Sequence, residues 1–252
     1  MQIRPVIETK KLSKDFGALR AVNEVDLRVY PRQIHSIIGP NGAGKTTLFN
    51  LLTGFIDSTQ GEIFFKGENI TGLPPHIISK KGLARSFQIT SIFPALSVHE
   101  NIRVAAQSRE KEPYHLLKDF TRLKEAGKKA DEILEFIGLI EKKKMISRTL
   151  PYGEKRILDI GIALATHPDV LLLDEPVAGL QSGDLQWMMH LIEDISKTLT
   201  VILIDHNIDL VISISHTITV LNQGGVIAEG TPVEIQKNEK VQEAYLGGQS
   251  VC

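Results

Sequence analysis

The chain has 252 residues, with 29 Lys and Arg against 30 Asp and Glu and a formal net charge of −1. That length holds one large domain or two small ones and buries a core without a disulfide or metal staple. The charge balance excludes a strongly basic nucleic-acid binder and an acidic disordered tail, and the single cysteine, Cys252, excludes an internal disulfide or cysteine metal cluster.

The opening MQIRPVIETKKLSKDF has no apolar stretch of signal-peptide length, and no uninterrupted apolar run exceeds four residues. Neither a secretion signal nor a membrane span is expected. Alternating apolar and polar residues from Val25 to Tyr30 predict a half-buried strand. Glu62-Ile63-Phe64-Phe65 ahead of Lys66-Gly67-Glu68 predicts another strand entering a turn, in antiparallel sheet. Between them Ile34–Ile38 reads as a more apolar strand, followed by a glycine-rich loop and a helix from about Lys45 to Thr53 that Gly54 ends.

The middle of the chain reads as helical. Ser97 with Glu100 forms a capping-box pattern, and Leu123, Ala126, Ala130, Ile133, Leu134 and Ile137 keep helical spacing. Lys142-Lys143-Lys144 reads as a solvated turn or helix end. Val170–Leu173 and Val201–Ile204 are short apolar runs of the kind buried on both faces of a parallel sheet. Gln223-Gly224-Gly225 is a turn between Ile218–Leu221 and Val226–Glu229. The pattern is an α/β core with a helical insertion at roughly residues 90–160.

The strongest chemical signal is Gly39-Pro40-Asn41-Gly42-Ala43-Gly44-Lys45-Thr46-Thr47, which fits G-x-x-x-x-G-K-[ST] between a predicted strand and a predicted helix. Glycines let the backbone curl so that its N–H groups, the helix N-terminus and the Lys45 ammonium converge on phosphate oxygens. The Thr46 hydroxyl is placed for a magnesium ion. The second signal is Val170-Leu171-Leu172-Leu173-Asp174-Glu175. Neighbouring strand residues point to opposite faces, so the two acids serve different tasks: Asp174 in the shell of the magnesium, Glu175 on an attacking water. Together these motifs define an ATPase or GTPase.

The remaining motifs discriminate by resemblance. Leu150-Pro151-Tyr152-Gly153-Glu154, followed by a short helix and then Asp174-Glu175, resembles the signature motif of the ATP-binding cassette family, usually written LSGGQ. Gln88 in Arg85-Ser86-Phe87-Gln88 resembles that family's Q-loop. His206 after Val201–Asp205 resembles its switch histidine, and Phe16 resembles the aromatic residue that stacks on adenine. The resemblance runs from Leu12 to Gly247. Leu52-Thr53-Gly54-Phe55, Ile70–Pro75, Gly82–Gln88 and Ala244-Tyr245-Leu246-Gly247 are similar to the ATPase subunits of branched-chain and other neutral amino acid importers, to which urea importer subunits are closely similar.

The resemblance implies a P-loop core of cassette type, residues 1–89 and 161–252, with an antiparallel β subdomain and a helical subdomain over 90–160, all within one ATPase domain. It implies ATP and Mg2+ as ligands, with Thr46, Gln88 and Asp174 around the metal and Glu175, His206 and Lys45 as catalytic residues. It also implies that ATP is sandwiched between two cassettes. Phe16 and Gly39–Thr47 then serve one site, while Pro151, Tyr152, Gly153 and Glu154 serve the opposite one. The expected partners are integral membrane permease subunits, a second cassette and, indirectly, a solute-binding protein outside the membrane, with no nucleic acid. The expected location is peripheral, on the cytoplasmic face of the inner membrane.

Three places depart from the family's pattern. Pro151 replaces the signature serine, and losing its charge-assisted hydrogen bond costs about 1.5–3 kcal/mol of sandwich stability; Gly153 keeps its N–H for phosphate. Gln181 stands where many cassettes have aspartate, and Arg32-Gln33 replaces Gly-Glu in a turn. The other readings are a urea importer, or a soluble cassette of DNA repair or translation. No long heptad run interrupts the chain as coiled-coil arms of DNA repair would, and its single P-loop argues against a two-cassette translation factor. Intact Lys45, Asp174, Glu175 and His206 argue against a non-hydrolysing regulatory subunit.

Overall fold

A computed structural model describes residues 4–86, 92–108 and 119–246. In chain order the elements are β1 (Ile7–Phe16), β2 (Leu19–Val25), β3 (Arg28–Val29), β4 (Ile34–Ile38), α1 (Lys45–Leu52), β5 (Gln60–Phe65), β6 (Glu68–Asn69), α2 (Pro75–Lys81) and β7 (Leu83–Arg85). They continue with α3 (Val98–Gln107), α4 (Asp119–Phe136), α5 (Tyr152–Ala165), β8 (Val170–Asp174), α6 (Ser182–Ser196), β9 (Thr200–Ile204), α7 (Ile208–Ile214), β10 (Thr217–Asn222), β11 (Gly225–Gly230), α8 (Pro232–Gln236) and α9 (Glu239–Leu246).

Two sheets carry the strands. One is antiparallel, in the order β2-β1-β5-β6, with β3 also paired to β1. The other runs β11-β10-β4-β9-β8-β7, parallel except for the β10–β11 hairpin. Every residue of β4, β8 and β9 is buried, which is why Val170–Leu173 and Val201–Ile204 read as unbroken apolar runs, while β4 also buries the polar His35 and Ser36. One apolar core lies between the sheets around Leu48 and Phe49 of α1. A second covers the opposite face of the larger sheet beneath α3 to α6. Helices therefore flank a mainly parallel sheet, as expected for a P-loop α/β fold.

The single strand expected from Val25 to Tyr30 is broken. β2 ends at Val25 and β3 begins at Arg28; both pair with β1, Val25 opposite Leu12 and Arg28 opposite Glu8, and at the break the Asp26 side chain, not its backbone, accepts from the Lys11 N–H at 2.7 Å. Thr9 stitches the gap: its hydroxyl donates to the Val25 carbonyl at 2.8 Å and accepts from the Leu27 N–H at 2.9 Å. The alternation survives the break, since Val25, Leu27 and Val29 are all buried. At the turn before β4, Arg32 has φ +57°, a left-handed conformation that strains a residue with a Cβ and suits glycine.

The helical segment begins with the capping box anticipated at Ser97 and Glu100: the Ser97 hydroxyl accepts from the Glu100 N–H, and the Glu100 carboxylate accepts from the Ser97 N–H at 2.8 Å. Ala126, Ala130, Ile133, Leu134 and Ile137 are buried as their spacing predicts. Lys142 closes a 3-10 turn, Ile140–Lys142, and is paired with Glu154, while Lys143 is paired with Asp131. The helix after the signature motif is not short. It is α5, fourteen residues long, and it runs through the 160/161 boundary. A Cβ at Gly161 would come within 2.6 Å of Ile137 Cδ1, so glycine here lets α5 pack against the chain following α4.

Candidate nucleotide site

The residues between β4 and α1 form a tight loop that only glycine permits at two points. A Cβ at Gly39 would lie 2.2 Å from the Leu221 carbonyl oxygen, and one at Gly44, where φ is +99°, would lie 2.3 Å from that of Ala21. Lys45 folds back under this loop. Its Nζ donates to the Gly39 carbonyl at 2.7 Å and to the Pro40 carbonyl at 3.0 Å. Burial holds its ammonium below the ordinary lysine range, an effect the charges of Glu175 and Asp174 partly offset.

The loop lines an open cleft of about 440 Å³. Asn41, Gly42, Ala43, Gly44, Lys45, Thr46 and Thr47 form one wall, Phe16, Leu19 and Ala21 another, and Glu175 and His206 close the end. The first turn of α1 opens into this space, a setting that favours phosphate. Phe16, at the end of β1, leaves half its ring exposed. Gly39 and Pro40 sit behind the wall and contribute their carbonyls to Lys45. From the far end of the chain, Tyr245 of α9 reaches the Gly39 backbone; burial pushes its phenol up to about 12, against hydrogen bonding from that backbone.

β8 and β9 are adjacent and parallel, with Asp174 opposite Ile204, which brings the two acids beside His206. Glu175 has φ +50° and its N–H donates to the Ile204 carbonyl at 2.8 Å. That turn aims the carboxylate at His206, whose Nε2 lies 2.5 Å from Glu175 Oε1. Asp174, the last residue of β8, is paired elsewhere, so the two carboxylates have different partners. Its Oδ2 accepts from Arg85 at 2.7 Å, and the same guanidinium donates to Asn50 Oδ1 at 2.7 Å. Neither Arg85 nor Asn50 has a role legible in the sequence alone. The available signal was a basic residue ending the strand next to the one that ends in Asp174. Asp205 is buried beside His206; burial pushes its carboxyl up, against hydrogen bonds from the backbone of Asn207, His206 and Val177.

The signature residues are elsewhere. Pro151, at φ −54° and ψ 158°, is the N-cap of α5 and supplies no side-chain cap. Tyr152, Gly153 and Glu154 form the first turn, and none of the four lines the cleft of their own chain. Arg156 Nε donates to the Tyr152 hydroxyl at 3.0 Å, and the Tyr152 ring lies against Gly179. Glu154 is held by Lys142 at 2.5 Å. Gln181 is the N-cap of α6, also without a side-chain cap. Gln88 lies outside the described residues.

The donor set can be compared with the ligands in prospect. Among the described residues no group of three or more His, Cys, Asp or Glu is arranged to hold a metal. The cleft offers the Thr46 hydroxyl, and behind Glu175 lies the buried Asp174 carboxylate at the end of β8; both are hard oxygen donors. Such a pair suits a Mg2+ that takes its other ligands from phosphate and water.

A lysine folded under a glycine-rich loop at a helix start, facing an acid–histidine pair across the cleft, is the arrangement of a P-loop nucleotide hydrolase. The chain belongs to the ABC transporter family, whose model matches residues 22–178. A second model, described as branched-chain amino acid ATP-binding cassette transporter, matches residues 226–250. The chain is 43% identical to the high-affinity branched-chain amino acid transport ATP-binding protein BraF of Pseudomonas aeruginosa, over 97% of this chain and 98% of that protein. It is 41% identical to LivG of Escherichia coli K12, a protein of the same description, with the same coverage. Among solved structures it resembles the ADP conformation of MJ1267, an ATP-binding cassette of an ABC transporter. That match has a TM-score of 0.85 and 29% identity, over 96% of this chain and 99% of the other. As a member of this family the chain is an ATPase. No helix among the described residues is long and apolar enough to cross a membrane.

Proposed function

We propose that this chain powers the uptake of branched-chain or other neutral amino acids through separate membrane permease subunits. The observation that carries the chemistry is the Glu175–His206 pair at the end of the cleft that holds Lys45. The kinship with BraF and LivG supports the substrate class.

In this reading Gly39–Thr47 wrap the phosphates of ATP and Phe16 packs on its base. Lys45 leaves its carbonyl partners for the phosphate oxygens, a low-cost exchange because its ammonium is already desolvated. Glu175 accepts a proton from the attacking water, and His206 fixes the carboxylate that does so. Mg2+, when bound, neutralises charge developing on the phosphates; Thr46, Asp174 and Gln88 are the residues that hold it. Pro151, Tyr152, Gly153 and Glu154 of a second cassette complete the site from the opposite side. Residues 90–160 and Gln88 pass closure of the pair to the permease at the cytoplasmic face of the membrane, and a solute-binding protein delivers the cargo on the other side.

The test is reconstitution with the permease subunits and binding protein. Neutral amino acids are expected to stimulate ATPase activity; stimulation by urea alone overturns the substrate class. Replacing the base, Glu175→Gln, is expected to lower turnover by roughly 100-fold or more with ATP binding retained. Turnover near wild type overturns the role of Glu175.

A further inference from the structure

Arg85 is the last residue of β7, an edge strand of three residues, and its guanidinium is buried where three elements meet. One arm donates to Asp174 at the end of β8 and the other to Asn50 on α1, both at 2.7 Å. The plane between them lies against Phe49 and Phe55, 5.6 and 5.9 Å from the two ring centres. The side chain is thus fixed by two hydrogen bonds and two rings. The planar fork serves the two acceptors from two different nitrogens, which a lysine with its single ammonium nitrogen does not reproduce.

We infer that Arg85 is a positioning residue for the metal shell of the nucleotide site, an inference that rests on the reading of Asp174 as a residue of that shell. Arg85 occupies Oδ2 of Asp174 and leaves Oδ1 as the oxygen for the metal, so the carboxylate is presented in one orientation. Asn50 ties the same guanidinium to the helix whose first turn carries Thr46, so the two oxygen donors move as a unit. Partners of this kind, one bond behind a metal ligand, set its orientation, and their loss typically costs 10–100-fold in metal affinity.

The experiment measures binding of a fluorescent ATP analogue to the full chain, first in EDTA and then over a Mg2+ titration. It compares wild type, Arg85→Lys, Asn50→Ala and Asp174→Asn, each checked for native far-ultraviolet dichroism. For Arg85→Lys the Mg2+ midpoint is expected to rise about tenfold while binding in EDTA changes less than about twofold. Asn50→Ala, which leaves the Arg85–Asp174 bond in place, is expected to shift the midpoint in the same direction by less, and it serves alone if Arg85→Lys does not fold. A midpoint unchanged in Arg85→Lys, or in Asn50→Ala where that variant stands alone, but raised in Asp174→Asn overturns the inference and leaves the Asp174 assignment standing. An equal loss with and without Mg2+ in Arg85→Lys also overturns it. A midpoint unchanged in Asp174→Asn overturns the assignment of Asp174, and the inference with it.

Discussion

At the scale of single residues, the site depends on close approaches that leave no room for a Cβ and on turns that aim one carboxylate at a time. Gly39→Ala forces a methyl group onto the Leu221 carbonyl. Relief requires the loop or β10 to shift, at a cost on the order of 1–3 kcal/mol. The expected outcome is a lower urea midpoint together with weaker ATP binding, measured by denaturation and nucleotide titration on one preparation. Gln181 makes the opposite case. It sits at the N-cap of α6 without using its side chain, and the aspartate common there in the family is among the best capping residues. Gln181→Asp is expected to raise stability by about 0.5–2 kcal/mol, read as a higher thermal midpoint without nucleotide. Most of the site residues were legible as motifs, since P-loop spacing and an acidic pair after an apolar run are local patterns. Arg85 and Asn50 were not. Their role arises from 35 residues of separation in one case and 89 in the other, and no local pattern encodes that.

At the scale of elements, the central sheet carries a titratable group with no access to water. His35 of β4 is fully buried and its Nε2 lies 2.7 Å from the Thr219 hydroxyl, which in turn donates to Glu229 at 2.9 Å. Burial lowers its pKa from 6.5 to about 4. The unfolded chain therefore takes up this proton at a higher pH than the folded one. The stability His35 confers is complete above about pH 6.5 and is lost as pH falls through about 4, a total of about 3 kcal/mol. Urea denaturation at pH 7 and pH 4.5 is expected to show a larger loss for wild type than for His35→Gln. Elements with strong periodicity were read correctly: the buried face of α4, the capping box of α3 and the β10–β11 turn. Two were not. The run Val25–Tyr30 alternates like one strand but is split between two partners of β1, because alternation reports burial and not continuity of pairing. The helix after the signature motif is expected to be short, but α5 runs fourteen residues, with Gly161 leaving room for the Ile137 and Ile102 side chains.

At the scale of the whole molecule, one chain displays half of what the proposed reaction needs. The cleft has its P-loop wall, its acid and its histidine, while Pro151–Glu154, at the start of α5, do not line it. A slow-hydrolysing variant isolates the consequence. Glu175→Gln is expected to shift from monomer to dimer on adding ATP and to revert when ATP is removed, as seen by light scattering; a mass unchanged by ATP overturns the shared site. Apolar patterning and the P-loop by themselves determined an α/β ATPase or GTPase with no bilayer-length apolar segment, because burial periodicity and phosphate-binding loops are written over a few adjacent residues. The tertiary structure decided what those residues touch. It turned Glu175 to His206 and Asp174 to Arg85, paired Glu154 with Lys142, and brought Tyr245 to the back of the P-loop. All but the Glu154–Lys142 pair, twelve residues apart, join elements distant in the chain, and only the order of strands in the sheet and the packing of helices upon it fix which distant residues meet.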